Sequence, residues 1–203
     1  PCNLQEMDVG MAAMIFEIIT ATVGHAKTEE CIASWSTRWP VHRIDGSKGM
    51  LEAYQQGYAE SNAGVLAYIH DDVLIRESNW HERVEKEFED ESVGLVGFGG
   101  ALFHGSADLY KVPYKLQQLG RSGYRSNVDD AEVHGERFTG DCDVAVLDGF
   151  ALIIRREFLL RVGGWPLGTP LGYSLYDYWA AALAHRLSFR IRLVGVRCNH
   201  FGG

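Results

Sequence analysis

The sequence has no basic stripe. Its 19 lysines and arginines are scattered through 203 residues and outnumbered by 27 aspartates and glutamates, giving a formal charge of -8. Phosphate backbones select clustered cations, so this balance argues against a nucleic-acid partner. Cysteine is sparse: Cys2, Cys31, Cys142 and Cys198 lie far apart with no CxxC spacing. That excludes a zinc ribbon, and a chain this long needs no disulfide staples, so reduced thiols in a cytoplasmic protein are the expectation. Long apolar runs are missing too. Val9 to Val23 is interrupted by Glu17 and lacks a basic flank and a cleavage pattern, so neither a signal peptide nor a transmembrane segment is expected. No GxGxxG follows the first strand signal, and Gly97-Phe98-Gly99-Gly100 comes too late to serve as one, which argues against a dehydrogenase. The chain opens at Pro1 without a methionine and stops at Gly203, as expected of a piece of a longer protein.

What is present is an ordinary globular composition, 46% hydrophobic and 23% charged, sufficient for one buried core. Phe16 to Val23 is rich in β-branched residues and reads as a strand. Thr28 to Trp39 places Ile32, Trp35 and Trp39 on one helical face, with Pro40 to end it. Val41 to Ile44 is a short strand closed by Asp45-Gly46-Ser47. Leu51, Tyr54 and Tyr58 repeat at helical spacing. Val65 to Ile69 is a continuous apolar run, as in a strand covered on both faces. Trp80, Val84 and Phe88 mark another helix, and Val93 to Phe98 another strand. This alternation predicts an α/β fold with a largely parallel sheet. Gly99 to Thr139 shows no steady period and reads as a functional loop. A strand over Val144 to Ile154, a helix from about Arg155, a break at Gly163-Gly164-Trp165-Pro166, a helix over about Asp177 to Leu187 and a strand from Phe189 to Val196 complete the chain.

Chemistry concentrates at His70-Asp71-Asp72-Val73, directly after the Val65 to Ile69 run. Parallel sheets bind ligands beyond the carboxyl ends of their strands. Adjacent carboxylates repel, and a hard divalent ion such as Mg2+ or Mn2+ relieves that repulsion while taking further oxygens from phosphate and water. The alternative is a solvated acidic turn.

Together with Arg43-Ile44-Asp45-Gly46-Ser47, this apolar strand ending in an Asp-x-Asp-like element resembles the family-two glycosyltransferases. Leu147-Asp148-Gly149-Phe150-Ala151-Leu152-Ile153-Ile154-Arg155-Arg156, followed by Gly163-Gly164-Trp165, resembles that family's "Asp-Gly, apolar strand, Arg-Arg, Gly-Gly-aromatic" segment. Tyr176-Asp177-Tyr178 stands where the family carries an acidic motif, with an aromatic where Glu is frequent. Val196-Arg197-Cys198-Asn199-His200 matches a terminal histidine.

The resemblance implies the GT-A (nucleotide-diphospho-sugar transferase) fold, a Rossmann-like, mostly parallel sheet flanked by helices. It implies a single domain over 1–203, with a nucleotide-binding half over about 14–100 and an acceptor-binding half over about 101–203. Thr20, Ala21 and Thr22 would line the nucleoside pocket and Asp45 would contact the base. Asp71 would contact sugar or ribose, with Asp148 and Gly149 also at the nucleotide-sugar. Asp72, with His200, would bind Mn2+ or Mg2+. Asp177 would be the catalytic base of an inverting transfer from a UDP-, GDP- or dTDP-sugar to a glycan, lipid or protein acceptor. His70 occupies the first Asp-x-Asp position, so a carboxylate role does not carry over to it.

Plainer roles stand beside these. Asp177 lies three residues after Ser174, a capping-box spacing. Asp45 suits an Asx-turn. Asp148 suits a structural role holding its loop, His200 suits a solvent-facing position, and Trp165 suits either sugar stacking or loop packing. Asp141-Cys142-Asp143 precedes a strand and reads as incidental. Arg155, Arg156 and Lys48 are candidate phosphate contacts, and Tyr110, Tyr114 and Tyr124 candidate acceptor contacts. Three rival functions remain. A nucleotidyltransferase lacks its glycine-rich basic loop, and a hydrolase using His70, Asp71, His104, His134 and His200 lacks a defining spacing. A catalytically degenerate sugar- or nucleotide-binding module shares the fold.

Overall fold

The computed structural model of the protein describes residues 14–35, 38–102, 123–129, 136–169 and 175–202. The first half alternates as its hydrophobic pattern requires: β1 (Phe16–Thr22), α1 (Thr28–Trp35), β2 (Val41–Asp45), α2 (Met50–Glu60), β3 (Val65–Ile69), β4 (Val73–Ile75), α3 (Trp80–Phe88) and β5 (Val93–Gly97). Short strands follow: β6 (Gly99–Ala101), β7 (Tyr124–Ser126), β8 (Glu136–Arg137), β9 (Asp141–Asp143) and β10 (Val146–Leu147). The chain continues through β11 (Ala151–Arg155), α4 (Arg156–Val162), α5 (Tyr176–Arg186), β12 (Arg190–Val194) and β13 (Cys198–His200).

The main sheet has seven strands in the order β2-β1-β3-β11-β5-β12-β9. Strands β2, β1, β3, β5 and β12 share one direction, and β11 and β9 run against it. Strand β3 is buried throughout because both faces are covered. Leu66 and Tyr68 join α2, α4 and α5 residues such as Tyr54, Phe158 and Ala181. Val65, Ala67 and Ile69 join Cys31 and Trp35 of α1 and Trp80, Val84 and Phe88 of α3. That two-sided cover explains an apolar run without polar alternation. Among the described residues, Cys31 and Cys142 are free thiols. Among the described residues, no helix is long and apolar enough to cross a membrane.

Two sequence expectations are corrected. Helix α1 stops at Trp35 rather than reaching Trp39. Trp39 stays in the core from the following turn, stacked on Phe16 at 4.6 Å with its indole N–H donated to Glu85, so side-chain burial alone mimicked a longer helix. The Val144 to Ile154 strand is also broken. Val146–Leu147 pairs with β6 in a four-stranded sheet, whereas Ala151–Arg155 lies between β3 and β5 in the main sheet. Residues 148–150 carry the chain between the two sheets, and hydrophobicity does not record that crossing because both halves are buried.

Arg155 and Arg156, at the far end of β11, do not reach a phosphate site. Arg155 donates to the carbonyls of Val93, Phe88 and Asp90 at 2.8–2.9 Å. Arg156 donates to those of Ala63, Tyr58 and Ser61, closing the end of α2. Arg155 pairs in register with Val65, the first residue of β3, so both guanidinium groups sit at the opposite end of the sheet from the acidic turn. Buried carbonyls need donors, and a guanidinium supplies several at once.

Candidate functional site

Strand β3 delivers His70-Asp71-Asp72 at its carboxyl end. The turn is set by His70 N–H donating to the Phe150 carbonyl at 3.0 Å and Val73 N–H donating to the His70 carbonyl at 3.2 Å. The two carboxylates then part. Asp71 Oδ2 accepts from Thr28 Oγ1 at 2.9 Å and from Val23 N–H at 3.2 Å, tying the acidic turn to the β1–α1 loop. Asp72 is only 9% exposed, and its Oδ1 has no hydrogen-bond partner.

What faces Asp72 is His200. Strand β13 pairs with β4 so that His200 lies opposite Val73, and Phe201 N–H donates to the Asp72 carbonyl at 3.1 Å. His200 Nε2 thereby stands 3.4 Å from Asp72 Oδ1. His70, Asp72 and His200 each offer a ligand atom, all within 4.8 Å of one another. A buried carboxylate oxygen without a hydrogen bond, faced by two imidazoles, fits a divalent cation. One carboxylate with two imidazoles suits Mn2+ or a later transition ion better than Mg2+, which favours oxygen. Burial pushes the Asp72 carboxyl up, yet the His200 and His70 imidazoles outweigh it and hold it below its ordinary value. Burial, with His200 beside it, lowers the His70 value and so favours the neutral, ligating imidazole.

Beside this cluster lies a second acidic group. Residues 148–150 connect the two sheets, and Asp148 Oδ2 accepts from the Tyr124 hydroxyl at 2.7 Å. Helix α5 begins at Tyr176, directly after Leu175 in the left-handed region at φ 68. Such a backbone costs a residue with a side chain about 1 kcal/mol or more, and strain of this kind concentrates at functional sites. Asp177, in the first turn, is pushed up to about 6 by burial, with Asp148 adding repulsion. Its Oδ1 accepts from Tyr178 N–H at 2.7 Å. The Tyr176 hydroxyl donates to the Gly149 carbonyl at 2.9 Å. A Cβ at Gly149 would stand 2.2 Å from that hydroxyl, so the position requires glycine.

The third part is the end of β1. In-register pairing sets Thr22 opposite Asp45, and the Thr22 hydroxyl donates to Asp45 Oδ1, which also accepts from Arg43 Nε at 2.8 Å. These two donors hold the Asp45 carboxyl below its ordinary value. Ala21 and Thr22 are partly exposed, whereas Thr20 is fully buried with an unpartnered hydroxyl.

The structure thus brings together Asp72, His200 and His70, and separately Asp148, Gly149 and Asp177. Asp71 is engaged by the β1–α1 loop. Trp165 is 3% exposed, among Tyr54, Tyr68, Tyr176 and Trp179, so it is core and not a sugar platform. Asp141 and Asp143 pair with Arg83 and Arg190 on the edge strand β9. Lys48 is exposed in the turn after β2. Tyr110, Tyr114, His104, His134 and Ser174 lie outside the described residues. Sequence reasoning missed that His70 joins Asp72 and His200 and that Tyr176 contacts it. The available signal was that both residues break the motifs they stand in.

The chain belongs to a glycosyltransferase-like family, whose model matches residues 35–168. No curated protein matches it. Three solved structures share its fold, the GT-A fold. A197 from STIV aligns at a TM-score of 0.59 and 16% identity, over 94% of this chain and 87% of that one. The mannosyltransferase PcManGT from Pyrobaculum calidifontis, in complex with GDP-Man and Mn2+, aligns at 0.55 and 15% identity, over 91% of this chain and 56% of that one. GalNAc-T7 with UDP, GalNAc and Mn2+ aligns at 0.54 and 10% identity, over 95% of this chain and 44% of that one. The chain therefore spans about half the length of the latter two.

Proposed function

We propose that this glycosyltransferase transfers a sugar from a nucleoside-diphosphate donor to an acceptor hydroxyl, with inversion, using Mn2+. The observation that carries the reading is the buried, unpartnered Asp72 Oδ1 facing His200, with His70 completing a three-residue donor set. The sharing of fold with proteins crystallised with GDP-Man and Mn2+, or with UDP and Mn2+, supports it.

In this reading the nucleotide-binding half spans about 14–100 and the acceptor half about 101–203. Asp45 and Thr22, bonded to each other at the sheet edge, bind the nucleoside. Asp72, His200 and His70 hold the metal ion, which when bound neutralises charge on the departing diphosphate. Asp177 accepts the acceptor's proton as that oxygen forms its bond to the anomeric carbon. The bond to the diphosphate oxygen breaks and takes its electron pair. A value near 6 leaves Asp177 mostly ionised at neutral pH yet more basic than an ordinary aspartate, as a general base requires. With one base and no covalent intermediate, the anomeric carbon inverts. Asp148, held by Tyr124, flanks the acceptor side.

Calorimetric titration of UDP, GDP and dTDP with and without Mn2+, on wild type and Asp72→Asn, tests the assignment. Metal-dependent binding of one nucleotide, lost in the variant, is the expected result and names the donor class. Absence of binding by all three would overturn it in favour of a degenerate module.

A further inference from the structure

The two residues that break the family's motifs touch each other. His70 stands where the Asp-x-Asp element begins, and Tyr176 stands where an acid usually precedes the catalytic aspartate. His70 Nε2 and the Tyr176 hydroxyl are 2.8 Å apart. The phenol donates its only proton to the Gly149 carbonyl at 2.9 Å. With the phenol proton assigned to the Gly149 carbonyl, the hydroxyl oxygen accepts, which assigns the hydrogen in the contact with His70 to Nε2. An imidazole protonated at Nε2 keeps its lone pair on Nδ1. Tyr176 is 3% exposed, and its hydroxyl lies 2.2 Å from where a Cβ at residue 149 would be, which leaves little room for water at this contact.

We propose that Tyr176 is a positioning residue for the metal site. The relay from Gly149 carbonyl to Tyr176 hydroxyl to His70 Nε2–H selects the tautomer that presents Nδ1 to a cation held by Asp72 and His200. The two motif departures are then a single matched change. The imidazole serves as ligand, and the phenol as the outer group that orients it. Outer partners of ligating histidines fix tautomer and ring direction, and their loss typically weakens metal binding by about ten- to a hundredfold. Because Tyr176 opens α5 immediately before Asp177, the same contact sets the base-bearing turn against the metal site.

This inference rests on the metal site proposed above, and the experiment separates the two. Mn2+ binding is measured calorimetrically on wild type, Asp72→Asn and Tyr176→Phe, and the His70 tautomer is read from nitrogen-15 NMR of the metal-free wild type. The expected results are an Nε2–H tautomer in wild type, binding lost in Asp72→Asn, and binding about ten- to a hundredfold weaker in Tyr176→Phe. No Mn2+ binding by wild type would overturn the metal site and this inference together. Binding lost in Asp72→Asn but unchanged in Tyr176→Phe would overturn the role of Tyr176 alone. So would an Nδ1–H tautomer in wild type, a readout that stands even if the Tyr176→Phe protein does not fold.

Discussion

Asp72 Oδ1 and His200 Nε2 stand 3.4 Å apart at a site formed when the last strand pairs back onto β4. Asp72 Oδ1 is itself buried and has no hydrogen-bond partner. Removing the carboxylate charge in Asp72→Asn is expected to abolish Mn2+ binding. His200→Ala should weaken it by more than the about tenfold minimum seen for outer partners. Titration calorimetry reads both, and tight binding retained in either variant would contradict the ligand assignment.

Asp177 predicts an acid limb. As a base it works only when ionised, so turnover should fall as pH drops through about 6. Asp148 contributes to the raised value, so Asp148→Asn should move that limb to lower pH. The profile of kcat/KM against pH checks both, and a limb near pH 4 would remove the burial argument.

The same residue predicts a trade between stability and activity. Its folded value lies above the ordinary 3.8. Between those two values the folded state holds more protons than the unfolded one, and stability falls as pH rises. Above pH about 6 the full cost is present, roughly 1–2 kcal/mol after allowance for partial exposure. Asp177→Asn should therefore raise the melting temperature at pH 7.5 by about 2–4 °C per kcal/mol gained while abolishing transfer. Calorimetric melting at pH 7.5 and pH 4 tests the sign, because the gain should shrink at the lower pH.

Asp45 lies at the exposed sheet edge, tied to Thr22 and Arg43. Asp45→Ala should weaken nucleotide binding while leaving Mn2+ affinity in the absence of nucleotide unchanged. A parallel loss of both would place Asp45 in the metal site instead.

Arg155 predicts the opposite pattern. Arg155→Met strands three carbonyls, those of Val93 and Phe88 in buried bonds and that of Asp90 in a part-buried one, and should cost about 2–4 kcal/mol of stability, with Mn2+ affinity unchanged in the folded fraction. Urea unfolding measures the first and calorimetry the second.

The alternation of apolar periods across Phe16 to Gly97 made the α/β order legible, because each element there is covered in the way its period describes. Asp72 and His200 stood out by position, one in the turn after β3 and the other ending β13, and the fold sets them 3.4 Å apart. The break at 148–150 was not, because both sides of it are buried and apolar. Trp165 and the paired arginines look like binding residues in sequence, since aromatic rings and cations serve cores and ligands alike. Only their neighbours decide: Tyr54 and Trp179 around Trp165, backbone carbonyls around the arginines. The His70 to Tyr176 contact joins residues 106 positions apart, a separation that local spacing does not encode.

Strand β11 begins beside Phe150, whose carbonyl holds the acidic turn, and ends at Arg155, which ties down the other end of the sheet. The ten-residue stretch from Leu147 to Arg156 therefore answers to two separate demands. In the proposed reading its opening residues serve the reacting centre, while its closing pair serves the framework. A descendant that loses catalysis is released from the first demand but not from the second. Such a protein would keep the arginines, and with them its likeness to active relatives, long after Asp148 and Gly149 had drifted. Kinship judged on this stretch as a whole would measure the persistence of the architecture, and under the proposed mechanism the aspartate and glycine at its start would be the letters that separate a working enzyme from a retired one.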